Sequence, residues 1–176
     1  MGINVKNISK CYFRREYILI FVILGTQKFP FTRLIKEIER LKKENIIIDK
    51  VVVQAGYTLY ESKSLIIKDF MDEDVFSQNI ENANIVITHG GTGAIINSLK
   101  KRKKVIAVPR LSKYGEHVDD HQQEIVETFV KKNYILESNV DDLSEKLEMI
   151  KTYQFDEFKS NTDHFLDIMV KLLKDS

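Results

Sequence analysis

The sequence predicts an α/β fold, namely a Rossmann-like, mostly parallel sheet with helices on both faces. The first observation is the continuous apolar run Tyr17–Leu24, which is typical of a central strand covered on both sides. The second is the alternation of short apolar segments with amphipathic segments along the rest of the chain. The third is the scarcity of breaks, since only two prolines occur and no linker rich in Pro, Gly or Ser divides the chain. A single domain follows.

The elements are predicted in alternating order. Apolar and β-branched runs favour strands at Tyr17–Leu24, Ile48–Gln54, Ser64–Lys68, Ile85–Thr88, Val105–Val108 and Tyr134–Leu136. Helical spacing of apolar residues favours helices at Phe31–Glu44, Asp72–Asn82, Thr92–Lys101, Asp119–Lys132, Asp141–Ile150 and Phe158–Lys174. The Asp72–Asn82 helix has acidic residues in its first turn, where they suit the helix dipole. The apolar face of the last helix, Phe165 to Leu173, packs on its own domain or docks on a partner.

Composition limits the functional class. The formal net charge is +1, so no overall field draws the chain to nucleic acid, and no nucleic-acid partner is expected. Cys11 is the only cysteine, which excludes an intrachain disulfide or a thiolate zinc site and fits a cytoplasmic setting. The longest apolar run is far shorter than the ~20 residues that span a bilayer. The basic run Lys100–Lys104 is read as a solvated turn, with anionic lipid headgroups as the alternative.

The first sixteen residues are expected to lie apart from the domain, which we place at residues 17–176. The segment contains Cys11, Tyr12 and Phe13 beside two arginines and lacks the apolar core of a signal peptide. It is interpreted as a flexible leader or a misassigned start, with a short arm that faces a membrane or a partner as the alternative.

Two loops that follow predicted strands carry glycines suited to an anion. Gly25 and Thr26 come directly after the first strand, where glycine allows a close approach of the backbone. The sharper signal follows the strand Ile85–Thr88 and opens a helix, and it consists of His89, Gly90, Gly91, Thr92 and Gly93. Free backbone N–H groups and a helix N-terminus form a site for a diphosphate. The other interpretation is a tight turn that needs glycine for packing, with a structural histidine beside it.

A third loop crowds polar residues at the start of the helix Asp119–Lys132. Asp119 is predicted to cap this helix, with Gln122 completing a capping box. Capping leaves the rest of the cluster unexplained, and such a cluster can hydrogen-bond several sugar hydroxyls. Its members are His117, Asp120, His121, Gln122 and Gln123. The two histidines have the i, i+4 spacing of a zinc pair, but the segment lacks the glutamate of a zinc protease motif, and no metal is expected.

Together these motifs resemble the C-terminal, donor-binding domain of GT-B glycosyltransferases of family 28. The likeness extends from Tyr17 to Leu136 and rests on the order of the three loops and on Asn97 in the predicted helix Thr92–Lys101. It extends to the stand-alone subunits of that family. These include the catalytic subunit of the UDP-GlcNAc transferase that makes chitobiosyl-diphosphodolichol, and bacterial capsule and exopolysaccharide subunits. The fold implied is one half of a GT-B fold.

The resemblance implies an inverting, metal-independent transfer of a hexose from a UDP-sugar, without a cofactor, to a polyprenyl-diphosphate-linked saccharide. The diphosphate would meet Gly25, Thr26 and Gly90–Gly93, and the uracil would lie near Phe70 and Met71. Gln122 and Gln123 would bind the sugar. Asn97 stands where relatives carry an acidic residue for the ribose, which leaves ribose binding by this amide open. A membrane-anchored subunit would bring the acceptor and recruit the chain to the inner face of the membrane.

The catalytic base is not fixed by the sequence. His89 and His117 are the candidates within this chain, and the base could belong to the partner. Galactose, glucose, GlcNAc and glucuronate all remain open as the hexose, with a mild preference for a neutral one, because no arginine stands beside Gln122 and Gln123 to meet a carboxylate. Two other functions are considered: a non-catalytic nucleotide-sugar-binding regulatory subunit, and a fragment of another GT-B-like enzyme such as a sugar epimerase.

Overall fold

The computed structural model describes residues 18–160, in which six strands alternate with five α-helices. The strands are β1 (Leu19–Ile23), β2 (Lys50–Gln54), β3 (Ile66–Lys68), β4 (Ile85–Thr88), β5 (Lys104–Ala107) and β6 (Leu136–Glu137). The helices are α1 (Thr32–Lys43), α2 (Glu73–Asn82), α3 (Thr92–Lys100), α4 (His121–Lys131) and α5 (Leu143–Thr152), and a single 3-10 turn lies at Ser112–Tyr114.

All six strands run parallel in one sheet of order β3-β2-β1-β4-β5-β6. The chain builds outward from β1 to β3 and then returns to the other side of β1 at β4. The carboxyl ends of β1 and β4 therefore meet at the point where strand order reverses, which is where such sheets bind ligands. The predicted parallel α/β fold is confirmed.

The sheet has an apolar core on each face because successive side chains of a strand point to opposite sides. In β1, Ile20 and Val22 belong to the core that α1 and α5 cover. Phe21 and Ile23 belong to the second core, which lies under α2, α3 and α4. Both sets are fully or almost fully buried, which explains why the segment reads as an uninterrupted apolar run.

The first helix follows the predicted pattern closely. Its inward face consists of four fully buried residues, Leu34, Ile35, Ile38 and Leu41. Basic residues fill its last turn, where they suit the negative end of the helix dipole. The helix then gives way to Asn45, whose φ of 59° lies in the left-handed region.

The predicted capping box at the start of α4 is wrong. The helix begins at His121, so the residue before it is Asp120 rather than Asp119, and its side chain makes no capping bond. Asp119 instead accepts a hydrogen bond from the backbone N–H of His121 at 3.1 Å. Gln122 is almost fully buried and accepts a hydrogen bond from the backbone N–H of Arg110 at 3.2 Å. The Gln122 amide that the sequence assigns to the cap therefore bonds instead to the buried backbone N–H of Arg110 on the neighbouring loop.

The basic run Lys100–Lys104 contains a turn between α3 and β5, as the sequence predicts, but two of its lysines also bond to backbone carbonyls. Lys101 donates to the carbonyl of Ser77 in α2 at 3.0 Å, and Lys104 donates to the carbonyls of Ile150 and Lys151 at 2.8 and 2.9 Å. The two lysine ammonium groups thus serve carbonyls of α2 and of the last turn of α5. Arg102 remains largely exposed and forms an ion pair with Glu157.

The two ends of the chain fall mainly outside the described residues. The predicted leader, residues 1–16, and the apolar face of the last predicted helix, Phe165 to Leu173, both lie there. Phe158–Ser160, the described beginning of that predicted helix, is not helical. None of the helices in residues 18–160 combines the length and apolar character needed to cross a membrane.

Candidate functional site

A cleft of about 480 Å³ opens at the carboxyl ends of β1 and β4, at the switch point of the sheet. It brings together residues from all three predicted loops. The predicted residues that line it are Gly25, Thr26, His89, Gly91, Gly93, Asn97, His117, His121 and Gln122. The predicted residues that do not line it are Phe70, Met71, Gly90, Thr92, Asp120 and Gln123.

The imidazole of His89 stands between two glycines at the centre of the cleft. A β-carbon on Gly25 would lie 2.8 Å from its Nε2, and one on Gly91 would lie 2.4 Å from the same atom. Gly25 also has a φ of 92°, which few other residues adopt. The glycines of both loops therefore provide room for a histidine ring, a purpose that the sequence motif does not reveal.

The tautomer of His89 follows from its hydrogen bond. Its Nδ1 lies 3.2 Å from the carbonyl oxygen of Ile23, which only accepts, so Nδ1 carries the proton and Nε2 presents a lone pair. Burial, with help from the nearby Arg110 cation, lowers the pKa of His89 to about 4, against the opposing bond to Ile23. His89 is therefore a neutral group at neutral pH.

The amino terminus of α3 is open to the cleft at Gly93. Gly91 is the N-cap residue of this helix and has no side chain, so no capping hydrogen bond occupies the first N–H groups. A β-carbon on Gly93 would meet nothing within 4 Å. Unpaired N–H groups and the positive end of the helix dipole thus face open space that an anion can fill.

Gly90 and Thr92 have other surroundings. Gly90 has a φ of 88°, and a β-carbon there would lie 2.9 Å from Cγ2 of Val126 in α4. Gly90 therefore serves the turn and the packing of α4. At this one position, the alternative interpretation of a tight turn that needs glycine for packing is correct. Thr92 is exposed at the start of α3.

His117 lies in the cleft on the loop before α4, and its partner is Asp119. Nδ1 of His117 is 3.0 Å from a carboxylate oxygen of Asp119 and 3.1 Å from its carbonyl oxygen. Only about 10% of the His117 side chain is exposed, and the ring packs against Phe29 with centroids 5.9 Å apart. In the tautomer that donates Nδ1–H to the Asp119 carboxylate, Nε2 presents the free lone pair; in the other tautomer, Nδ1 accepts from the backbone N–H of Asp119 at 3.3 Å.

The other polar residues of this loop divide between the cleft and the loop itself. His121 lines the cleft, is mostly exposed and lies 3.3 Å from Glu124. Asp120 turns away and accepts a hydrogen bond from the backbone N–H of Ser112 at 2.8 Å, which lowers the pKa of its carboxyl group. Gln123 is half-buried on α4 outside the cleft.

Gln54 is a cleft residue that the sequence analysis missed. It ends β2 beside β1, is almost fully buried, and accepts a hydrogen bond from the backbone N–H of Met71 at 3.2 Å. Its position, a polar residue at the carboxyl end of an apolar strand, is the signal that could have revealed it. Phe70 lies beyond this point, half exposed, with its ring edge-on to Tyr57 at 5.3 Å.

Metal binding has no local support in the part of the chain that the structure describes. Among residues 18–160, no group of three or more His, Cys, Asp or Glu side chains is arranged to hold a metal ion. His117 and His121, which have the spacing of a zinc pair, each lie next to a carboxylate of their own.

The sequence of the cleft and its sheet matches a known family. The model of the glycosyltransferase family 28 C-terminal domain matches residues 19–172. This chain belongs to that family. Among curated relatives, the UDP-N-acetylglucosamine transferase subunit ALG13 of Candida albicans is 30% identical over 90 residues. That match covers 51% of this chain and 29% of the relative, so the chain matches under a third of that protein's length.

Solved structures of glycosyltransferases share the fold of this family 28 domain. The calicheamicin glycosyltransferase CalG4 superposes with a TM-score of 0.61 at 14% identity, over 80% of this chain and 35% of that one. The solution structure of ALG13 gives a TM-score of 0.55 at 21% identity, over 82% of this chain and 90% of that one. The predicted resemblance to one half of a GT-B fold is confirmed.

Proposed function

We propose that this chain is the donor-binding catalytic subunit of a two-component, inverting glycosyltransferase. It transfers a hexose from a UDP-sugar to a polyprenyl-diphosphate-linked saccharide in the synthesis of a surface polysaccharide. The observation that carries the proposal is the amino terminus of α3, which opens at Gly93 into a polar cleft at the switch point of the sheet. Family membership supports the same reaction class.

The diphosphate of the donor would lie against the backbone of α3. Gly25 and Gly93 both line the cleft and lack side chains, so phosphate oxygens can approach the N–H groups on either side. As the bond to the sugar breaks, negative charge grows on the leaving UDP. The helix dipole and the fixed N–H groups stabilise that charge without reorganisation, which is the electrostatic task of such a site.

The sugar would face the loop that precedes α4. Gln122 and His121 line the cleft there and offer amide and imidazole groups to hydroxyls. Asn97 lies on α3 at the same cleft, and its amide can bond a ribose hydroxyl. Among residues 18–160, no lysine or arginine lines the cleft, which favours a neutral hexose, glucose, galactose or GlcNAc, over glucuronate.

His117 is the better base of the two histidine candidates. The carboxylate of Asp119 orients its ring and stabilises the cation that forms when Nε2 takes a proton. His89 has a pKa of about 4 and is hemmed in at Nε2 by Gly25 and Gly91, so it is a weak base. We assign His89 to a contact with a hydroxyl of the donor, which can donate to the Nε2 lone pair.

The acceptor would be supplied by a second subunit that is anchored in the membrane. A GT-B enzyme closes two domains over its substrates, and the fold of this chain covers 35% of the CalG4 chain, as one such domain would. We propose that the chain works on the cytoplasmic side and is recruited to the inner face of the membrane by that subunit. The named relative ALG13 is itself described as a transferase subunit.

Titration calorimetry of the purified chain with UDP, UDP-hexoses, GDP-sugars and NAD tests the proposal. We expect selective binding of the uridine compounds, weakened at least tenfold by Gly93→Ala, because the new methyl group occupies the space of the phosphate. Lys100→Ala, at the other end of α3, is the control and should bind like the wild type. Failure of the wild type to bind any uridine compound, alone and with the co-expressed partner, would contradict the proposal.

Turnover separates catalysis from mere binding. With the partner and a lipid-linked acceptor present, we expect His117→Gln to bind UDP normally and to lose at least a hundredfold in kcat. Asp119→Asn should show a smaller loss and a shifted pH profile. UDP-sugar binding without turnover in the wild-type complex would instead favour a regulatory subunit.

A further inference from the structure

Arg110 lies buried beneath the cleft and is fixed at both of its ends. It follows β5 and is fully shielded from solvent. Its backbone N–H donates to the Oε1 atom of Gln122, a cleft residue, at 3.2 Å. Its Nη2 donates to the carbonyl oxygen of Leu24, the residue that precedes Gly25. The guanidinium group thus lies under the junction of the first and third loops of the cleft.

Among the described residues, this guanidinium has no carboxylate of its own: burial lowers its pKa, the charge of the nearby Glu116 opposes that shift, and the Phe31 ring lies 5.7 Å from its Cζ. Its Nε and Nη1 atoms are buried and have no hydrogen-bond partner. In the described part of the chain no carboxylate forms an ion pair with it. The nearby carboxylate of Glu116 is held by Arg33 through two bonds of 3.0 Å and by the backbone N–H of Leu111 at 3.1 Å. A buried cation with unmet donors is destabilising, so its presence requires a compensating role.

The side chains that line the cleft include no permanent cation in the part of the chain that the structure describes. Histidines line it, but no lysine or arginine in residues 18–160 does so. The field of Arg110 does reach the cleft, since it is one of the causes that lower the pKa of His89. Asp119, Asp120 and Glu124 surround the third loop with negative charge. A polyanionic ligand would therefore meet no lysine or arginine in the described lining, and Arg110 and the α3 terminus would attract it from beneath.

We infer that Arg110 is the buried cation that sets the charge preference of the cleft, favouring a nucleoside diphosphate over the monophosphate and the nucleoside. The inference rests on the proposed donor site and adds a positioning residue that does not touch the ligand. A charge in a low-dielectric interior is weakly screened, so its attraction grows with each phosphate charge above it. The bond to Leu24 also holds the residue between β1 and Gly25, which positions Gly25.

The test compares uridine, UMP and UDP by titration calorimetry on the wild type and on Arg110→Met and Arg110→Lys. We expect the ratio of the UMP to the UDP dissociation constant to fall about tenfold in Arg110→Met, to change little in Arg110→Lys, and uridine affinity to be unchanged. Arg102→Met removes an exposed cation just before β5, at the amino ends of the strands and away from the cleft. It controls for net charge and should keep the wild-type ratio.

A wild-type measurement decides the matter even if both Arg110 variants fail to fold. In a sample with ¹⁵N-labelled arginine, the buried Arg110 Nε–H signal should shift on addition of UDP and not on addition of uridine. A ratio in Arg110→Met within twofold of the wild type, or an Nε–H signal that UDP does not move, would overturn the inference. Failure of the wild type and its partner complex to bind any uridine nucleotide would overturn the proposed function itself.

Discussion

Adding a methyl group at Gly91 should destabilise the chain through one identifiable contact. The backbone of Gly91 has φ −69° and ψ 129°, which alanine adopts without strain. The new β-carbon, however, would lie 2.4 Å from Nε2 of His89. The ring must move, which weakens its bond to the carbonyl oxygen of Ile23 and disturbs the packed floor of the cleft.

The magnitude follows from two contributions. Overpacking of a tightly enclosed site costs about 2 kcal/mol. Alanine is also a poorer helix N-cap than glycine, by ~0.5 to 1 kcal/mol. We therefore expect Gly91→Ala to lower the free energy of unfolding by about 2 to 3 kcal/mol. Gly93→Ala, two residues further on, meets no atom within 4 Å and replaces glycine with a better helix former, so it should be neutral or stabilising by up to ~1 kcal/mol.

A double-mutant cycle isolates the contact. In a His89→Ala background the ring is gone, so Gly91→Ala should retain only the capping cost of under ~1 kcal/mol. The coupling free energy between the two sites should be about 2 kcal/mol, measured by urea denaturation of the four variants. Additive effects of the two substitutions would refute the enclosure of His89 by Gly91.

Three further perturbations have definite expected outcomes. Because the pKa of His89 is lowered to about 4 from 6.5, its contribution to the free energy of unfolding is complete above pH 6.5 and is lost as the pH falls towards 4. The full pKa shift corresponds to ~3 kcal/mol, and we expect a loss of about 2 kcal/mol because the ring is not fully enclosed. Urea denaturation should show this loss in the wild type and not in His89→Asn. Arg33→Met should lower the free energy of unfolding by about 3 kcal/mol, because it leaves the buried carboxylate of Glu116 without its ion-pair partner. Thermal unfolding should show that the double variant Arg33→Met, Glu116→Gln regains most of this stability. Lys104→Ala should cost ~1 kcal/mol and expose the end of α5 to amide hydrogen exchange, whereas protection equal to the wild type would contradict the carbonyl contacts of Lys104.

Periodicity predicted the parts of the fold in which apolar residues repeat strongly. The four-residue strand β4 and the inward face of α1 match their predicted positions, because burial on both faces of a sheet and on one face of a helix leaves a regular pattern. Element ends moved by one to two residues, as in the predicted strand Tyr134–Leu136, observed at Leu136–Glu137. The ends of helices and strands depend on local hydrogen bonds, which the periodicity of apolar residues does not indicate.

The candidate site was predictable where chain order alone brings loops together. Strand order places the loops at Gly25 and His89 on one edge of the sheet, so their convergence follows from topology. Side-chain direction was not predictable. Gln122 turns to the backbone of Arg110, and Asp120 turns to Ser112, because each finds a donor on a loop distant in sequence. Arg110 itself gave no signal, since a lone arginine after a strand is ordinarily exposed.

Mapping of amide chemical shifts in a two-dimensional NMR titration with UDP is the most direct test of the donor site. We predict that the largest shifts fall on Gly25–Gln27 and Gly91–Ala94, with smaller ones near Gln122, and that the same set responds to the preferred UDP-hexose. Shifts confined to the opposite edge of the sheet, around Tyr134 and Phe155, or no shifts at saturating UDP with the partner bound, would contradict it.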